Sequence, residues 1–122
     1  MGVFDIIPKV ELLKIINEVI MFNAEEMDDE QYLTTLTREE LWESYVKTLL
    51  QWQSHMCVYQ DLEEYEICHL IKKVLEIQKE NVTRMFDVKW GLHEQDIENI
   101  ELLYKESREE VQNLWEEEKR TL

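Results

Sequence analysis

Glycine and proline are scarce in this chain. Two glycines and one proline occur among 122 residues, although turns and loops normally draw on both residue types. This scarcity excludes folds built from many short elements, and it favours few, long elements with short connections. Good helix formers such as Glu, Lys, Gln and Leu supply much of the remainder. We therefore predict an all-α fold in a single domain covering residues 1–122.

Cysteines and long apolar runs are also scarce. The two cysteines, Cys57 and Cys68, do not make the framework of a disulfide-rich secreted domain. We interpret both as free thiols that pack like small apolar side chains. No apolar run exceeds four residues, which is far too short to cross a membrane, and the first residues lack the features of a signal peptide. We expect a cytoplasmic protein without membrane contact, located in the host cytoplasm if a virus encodes it.

Positive charge is the third scarcity. The chain has 28 acidic and 13 basic residues and a formal net charge of −15, and residues 25–66 contain twelve acids against two bases. Nucleic acids and anionic membranes carry the same sign, so direct binding to either is disfavoured. A partner protein with a basic surface suits this charge. The densest acidic cluster, in a predicted loop, consists of Glu25, Glu26, Asp28, Asp29 and Glu30.

Apolar periodicity predicts four helices in an antiparallel bundle. The first predicted helix begins at Pro8, whose missing N–H is tolerated in a first turn, and it fades near Glu25. Thr37 and Glu40 have the spacing of a capping box, which predicts the start of the second helix. That helix is expected to run to Tyr59.

The third and fourth predicted helices follow after short connections. Asp61, with Glu64 three residues later, is a candidate N-cap for the third helix, which ends near Lys89 with Gly91 as its C-cap residue. The inward positions predicted for it are Cys68, Ile71, Val74 or Leu75, Gln78, Val82 and Met85. The fourth helix spans 94–119, with a narrow apolar seam and a broad acidic surface. The seam is predicted to consist of Ile97, Ile100, Tyr104, Ser107, Val111 and Leu114.

Aromatic and methionine side chains recur on the second predicted helix at spacings of three and four. They form one stripe, made of Trp42, Tyr45, Leu49, Trp52, Met56 and Tyr59. Such stripes usually pack in a core, but Trp, Tyr and Met are also enriched at the centres of protein interfaces. Two interpretations stay open. Either the stripe is core alone, or Trp42, Tyr45, Trp52 and Tyr59 share in contacts with a partner or with a second copy of the chain.

Two patterns have the residue types of a metal site. Glu66 and His69 have the spacing of half a carboxylate di-iron site, but the chain has no second motif of this kind. His55, Cys57, Cys68 and His69 include zinc-ligand types; however, residues 55 and 57 lie about 200° apart around a helix. We therefore predict no metal, no cofactor and no catalytic residues.

Composition and charge favour a small acidic protein-binding module, monomeric or homodimeric. Small all-helical acidic proteins that imitate the phosphates of DNA share its size, class and charge, although fold-level analogy alone says little about function. An inhibitor of the anti-defence, immunity or DNA-mimic type is one form of this hypothesis, and a viral origin is compatible with it because phages encode such proteins. The alternatives are a homo-oligomeric adaptor whose aromatic stripe is its dimer seam and, third, a metal-binding helical-bundle enzyme.

Overall fold

The computed structural model describes residues 5–21 and 36–121, and these residues form four helices and no strand. The helices are α1 (Lys9–Met21), α2 (Arg38–Asp61), α3 (Tyr65–Trp90) and α4 (Glu94–Thr121). The predicted all-α, four-helix fold is thereby confirmed. One core cluster draws buried side chains from every one of these helices. The proposed single domain over 1–122 includes residues outside the described ranges and stays a prediction.

The starts of the first two helices follow local sequence signals. The carbonyl of Pro8 accepts a hydrogen bond from the amide of Leu12, which places Pro8 just before α1. Thr37 has extended backbone, and its hydroxyl accepts a hydrogen bond from the amide of Glu40 at 3.1 Å. This is the predicted N-cap of α2. The described part of α1 ends at Met21, so its predicted extension towards Glu25 lies outside the described residues.

The connection between α2 and α3 corrects one prediction. Asp61 is the last residue of α2 rather than the N-cap of α3, and Glu64 occupies the N-cap position without a side-chain capping bond. The chain reverses through Glu63, whose φ of 59° lies in the left-handed region. Backbone bonds to the end of α2 already satisfy the amides of Leu62, Glu63 and Glu64. An N-cap at Asp61 would therefore have no free amide to bind, and Asp61 stays in α2.

Side-chain pairs fix the relative directions of the three long helices. Trp42 stacks near Phe86, with ring centroids 4.5 Å apart, whereas the Cys68 sulfur lies 3.8 Å from the carbonyl oxygen of Met56; α2 and α3 are therefore antiparallel. Gly91, with φ of 76°, ends α3 as predicted and permits the turn into α4. Asp96 pairs with Arg38 at the start of α2, and Lys119 pairs with Asp61 at its end. Helix α4 is therefore parallel to α2 and antiparallel to α3.

Helices α2 and α3 supply most of the core, with six buried apolar side chains each. On α3 the buried residues are Ile67, Ile71, Val74, Leu75, Val82 and Phe86, which confirms three of the six predicted inward positions: Ile71, Val74 or Leu75, and Val82. Cys68, Gln78 and Met85 are only half-buried, because the buried face is centred about one residue away from the predicted one, on the side of Ile67 and Phe86. On α4 the predicted seam holds at Ile100, Ser107 and Val111, whereas Ile97 and Leu114 are exposed.

None of the helices in the described ranges combines the length and the apolar character that a membrane span requires.

Candidate functional site

The aromatic stripe of α2 packs inside the bundle. Tyr45, Trp52 and Tyr59 are 4%, 8% and 5% exposed, and the half-buried Trp42 lies against Phe86 of α3. The sequence left two interpretations open for the stripe, core alone or a shared role in contacts. The structure places these four side chains in or beside the core. In this arrangement they offer a partner little surface, and a contact role for them has no support from their placement.

Tyr59 and its neighbour one turn earlier, His55, hold the segment that precedes α1. The Ile7 amide donates to Nε2 of His55 at 3.0 Å, and the Tyr59 hydroxyl donates to the Ile7 carbonyl at 2.6 Å. Nδ1 of His55 lies 2.7 Å from the Gln51 carbonyl, so the ring donates there and accepts from Ile7. The amide and the carbonyl of Ile7 are thus both bound by side chains of α2. Both nitrogens of His55 are engaged in hydrogen bonds, so neither is free to bind a metal.

The other candidate metal ligands are also not arranged as a metal site: the two thiols contact other groups, and Glu66 and His69 lie on the surface. The Cys57 thiol lies 3.4 Å from the side-chain oxygen of Gln112, and the Cys68 thiol lies near the Met56 carbonyl. Burial raises the pKa of both thiols, which disfavours the thiolate that binds metals. Glu66 and His69 are exposed. Within 5–21 and 36–121, no three His, Cys, Asp or Glu side chains are grouped to hold an ion.

The acidic cluster Glu25, Glu26, Asp28, Asp29 and Glu30 lies outside the described residues. The described acidic surface is concentrated on α4, whose outward side carries exposed carboxylates that make no ion pair with any described residue. These are Glu94, Glu98, Glu106, Glu109, Glu110, Glu117 and Glu118. Helix α4 therefore presents negative charge to solvent along its whole length, as its sequence predicts.

A polar contact between α2 and α4 was missed by sequence reasoning. Asp96 is 1% exposed; one carboxylate oxygen pairs with Arg38 at the start of α2, and the other accepts from the His93 amide at 3.2 Å. The Arg38 guanidinium also lies 5.1 Å from the centre of the Phe86 ring. Asp96 occupies the third position of α4, where an acid that binds back to the N-cap is a recognisable signal, but its pairing with Arg38 leaves no local trace.

A second polar contact joins the far ends of the same two helices. Asp61 accepts hydrogen bonds from Nε1 of Trp115 and from the Lys119 ammonium, the latter at 2.9 Å. These bonds, first that of Lys119 and then that of Trp115, hold the pKa of Asp61 below its usual range. The carboxylate predicted to cap α3 therefore fastens α4 to α2 instead.

Between these two contacts the interface of α2 and α4 is partly polar. The Tyr45 hydroxyl and the Gln53 amide nitrogen are buried and have no hydrogen-bond partner among the described residues. Burial, with smaller contributions from Tyr104 and Glu101 of α4, raises the pKa of Tyr45. Buried polar atoms are nearly always paired. Burying these two without a hydrogen bond to a described residue therefore lowers the stability of the α2–α4 interface.

A shallow groove of about 460 Å³ runs along α3 beside the turn into α4. Its lining alternates in charge, with Glu76, Lys79, Glu80, Arg84 and Asp87 along one helix. Lys79 already pairs with Glu101 and lies over the Tyr104 ring. Because the signs alternate, the groove favours neither an anion nor a cation.

The chain was compared with models of known protein families, with curated protein sequences and with solved structures, and none of the three comparisons finds a match.

Proposed function

We propose that this chain is a small acidic helical module that binds the basic surface of a partner protein. The observation that supports this most directly is the exposed side of α4. Its seven carboxylates make no ion pair with any described residue, as reported above, so their charge is available to a partner. Complementary charge of this kind speeds encounter and selects partners.

The proposed partner is a protein with a cationic groove, such as one that normally holds a nucleic-acid backbone. A series of carboxylates along one helix is a chemically reasonable competitor for such a groove. Inhibition of a nucleic-acid-binding protein is the form of the proposal that we favour. The placement of Tyr45, Trp52 and Tyr59 in the interior weakens the alternative in which the aromatic stripe is a dimer seam.

The test removes charge from α4 without changing its packing. The variant replaces Glu106, Glu109, Glu110 and Glu117 with Gln. The matched control removes the same charge from exposed acids on the other helices; its four Gln substitutions are at Glu18, Glu43, Glu76 and Glu80. Both variants should retain the parent's helicity and melting temperature within a few degrees, because surface substitutions change stability little.

The measurement is affinity capture from an extract of the source organism, followed by the association rate of the captured protein at several salt concentrations. We expect the α4 variant to associate roughly tenfold or more slowly and with weaker salt dependence, whereas the control stays close to the parent. Equal rates for the parent and the α4 variant would contradict the proposal, as would the capture of no protein at a stoichiometric level.

A further variant addresses the acidic cluster outside the described residues. Replacing Glu25, Glu26, Asp28, Asp29 and Glu30 with the corresponding amides should also slow association if that cluster joins α4 in binding. Unchanged affinity and salt dependence in this variant would restrict the binding surface to α4.

A further inference from the structure

The contact between α4 and α2 changes in kind along α4. Four side chains of α4 are buried, namely Asp96, Ile100, Ser107 and Val111. After Val111 no described residue of α4 is buried, although Trp115 is half-buried, and polar contacts join this stretch to α2. Gln112 meets the Cys57 thiol, and Trp115 and Lys119 meet Asp61.

The first half of α4 is held firmly. The buried Asp96 carboxylate pairs with Arg38 and caps the helix at His93, and Ile100 is 1% exposed. Lys79 of α3 pairs with Glu101. Within two turns, α4 is therefore attached by the ion pair of the buried Asp96 carboxylate, by a buried apolar side chain and by a contact with α3.

The second half of α4 lies against the part of α2 that carries one polar group unsatisfied within the described residues, the Gln53 amide. Gln53 lies one helical turn before Cys57 on the same face of α2, and Cys57 contacts α4 through Gln112. The Gln53 amide nitrogen is buried without a partner in the described residues. Closing this interface therefore costs free energy that opening returns, because water can pair the group once it is exposed.

The contacts that oppose opening are weak ones. The side chains of Asp61 and Lys119 are both more than one-third exposed, and exposed ion pairs contribute little to stability. Val111 and Ser107 are the buried side chains of this half, and neither belongs to the core cluster, which on α4 includes Ile100, with Leu103 and Tyr104 packed against it.

We propose that residues 107–121 detach from α2 as a unit while α2, α3 and the first half of α4 stay packed. The opening uncovers Gln53 and Cys57, with its hinge between Ile100 and Ser107. Local openings of this kind, below the free energy of global unfolding, are expected where few apolar contacts hold a segment. This inference does not depend on the proposed function.

The reactivity of Cys57 tests the opening directly. In a Cys68→Ser variant Cys57 is the remaining thiol of the chain, and it is 6% exposed in the closed form. Its reaction with an aromatic disulfide reagent is followed at increasing urea concentrations. We expect labelling at least about tenfold faster than global unfolding allows, with a smaller urea dependence than global unfolding.

Two further variants separate local from global opening. Val82→Ala removes a buried contact of α3, so it should lower global stability and leave the labelling rate of Cys57 at low urea unchanged. Gln53→Leu removes the unpaired amide and should slow labelling about tenfold. The proposal is overturned if Val82→Ala speeds labelling in proportion to its effect on global unfolding.

Hydrogen exchange of the unsubstituted protein gives an independent readout. Peptides from 107–121 should exchange together and much faster than peptides from 74–86. Equal protection of the two stretches would overturn the proposal even if a variant failed to fold.

Discussion

Helix α2 packs against α3 through apolar side chains and against α4 through a mixture of apolar and polar ones. The six buried residues of α3 are all apolar, whereas two of the four buried residues of α4, Asp96 and Ser107, are polar. At the α2–α3 interface the Phe86 ring lies between Trp42 and Trp90, with centroids 4.5 and 5.2 Å away. At the α2–α4 interface the Gln53 amide and the Tyr45 hydroxyl lack partners among the described residues.

The difference shows two ways of attaching a helix to the same neighbour. Apolar burial is the main source of folding free energy, so the α2–α3 pair forms the stable part of the bundle. Helix α4 instead keeps most of its surface charged and in water, and it relies on polar contacts near both ends. This kind of attachment is what both proposals require: carboxylates left in water for a partner, and a local opening of residues 107–121.

The largest effect is expected at the centre of the α2–α3 interface. Phe86→Ala should lower the free energy of unfolding by about 3–5 kcal/mol, the usual cost of truncating a buried Phe. Urea denaturation measures this change. Val88→Ala on the same helix is the control; Val88 is 60% exposed, so its loss should change stability by less than about 0.5 kcal/mol. Similar costs for the two variants would show that α3 does not carry the core.

An intermediate effect is expected at the start of α4. Asp96→Ala leaves the Arg38 guanidinium and the His93 amide without their acceptor, which should cost about 2 kcal/mol. Glu98→Ala, which removes an exposed carboxylate from the next turn, should cost less than about 0.5 kcal/mol. Denaturation curves of both variants provide the measurement. If Asp96→Ala were as mild as its control, the first half of α4 would be no better anchored than the second.

Most of the fold could be predicted because its signals are local. The capping hydroxyl of Thr37 and the left-handed glycine at Gly91 act within one turn of chain, and both mark helix ends where the structure has them. Asp61 shows the limit of such signals. Its spacing to Glu64 is that of an N-cap, but the tertiary partners Trp115 and Lys119 are more than fifty residues away, and sequence spacing carries no information about them.

The candidate site was harder to predict for a similar reason. The periodicity of Trp42, Tyr45, Trp52 and Tyr59 establishes that they share one side of a helix, but it does not say what covers that side. The covering elements are α3, α4 and the segment around Ile7, whose peptide groups bind His55 and Tyr59. By contrast, the charge of α4 is read correctly from the sequence, because exposed acids need no partner to stay in water.

The smallest effect is expected at the far end of α4, where Asp61 holds Trp115 and Lys119. The pKa of Asp61 is lowered in the folded protein by these hydrogen bonds, so their stabilising contribution is fully present above the unfolded pKa of about 3.9. It is lost as the pH falls through the lower folded value. Asp61→Asn should remove this part of the pH dependence and shift the melting temperature only slightly, because the contact is exposed and screened.

The comparison with α3 makes this small effect informative. Opening of residues 107–121, followed by the labelling of Cys57, should become faster in Asp61→Asn at pH 7, whereas hydrogen exchange of 74–86 should stay unchanged. At a pH below the folded pKa of Asp61, hydrogen exchange of 107–121 should be alike in the parent and the variant, since the parent's carboxyl is then neutral too. Glu63→Gln is a suitable control, because it neutralises a nearby exposed acid that makes no ion pair with any described residue of α4. If the control accelerated labelling as much as Asp61→Asn, general charge at this end of the bundle, rather than the bonds of Asp61, would hold α4 in place.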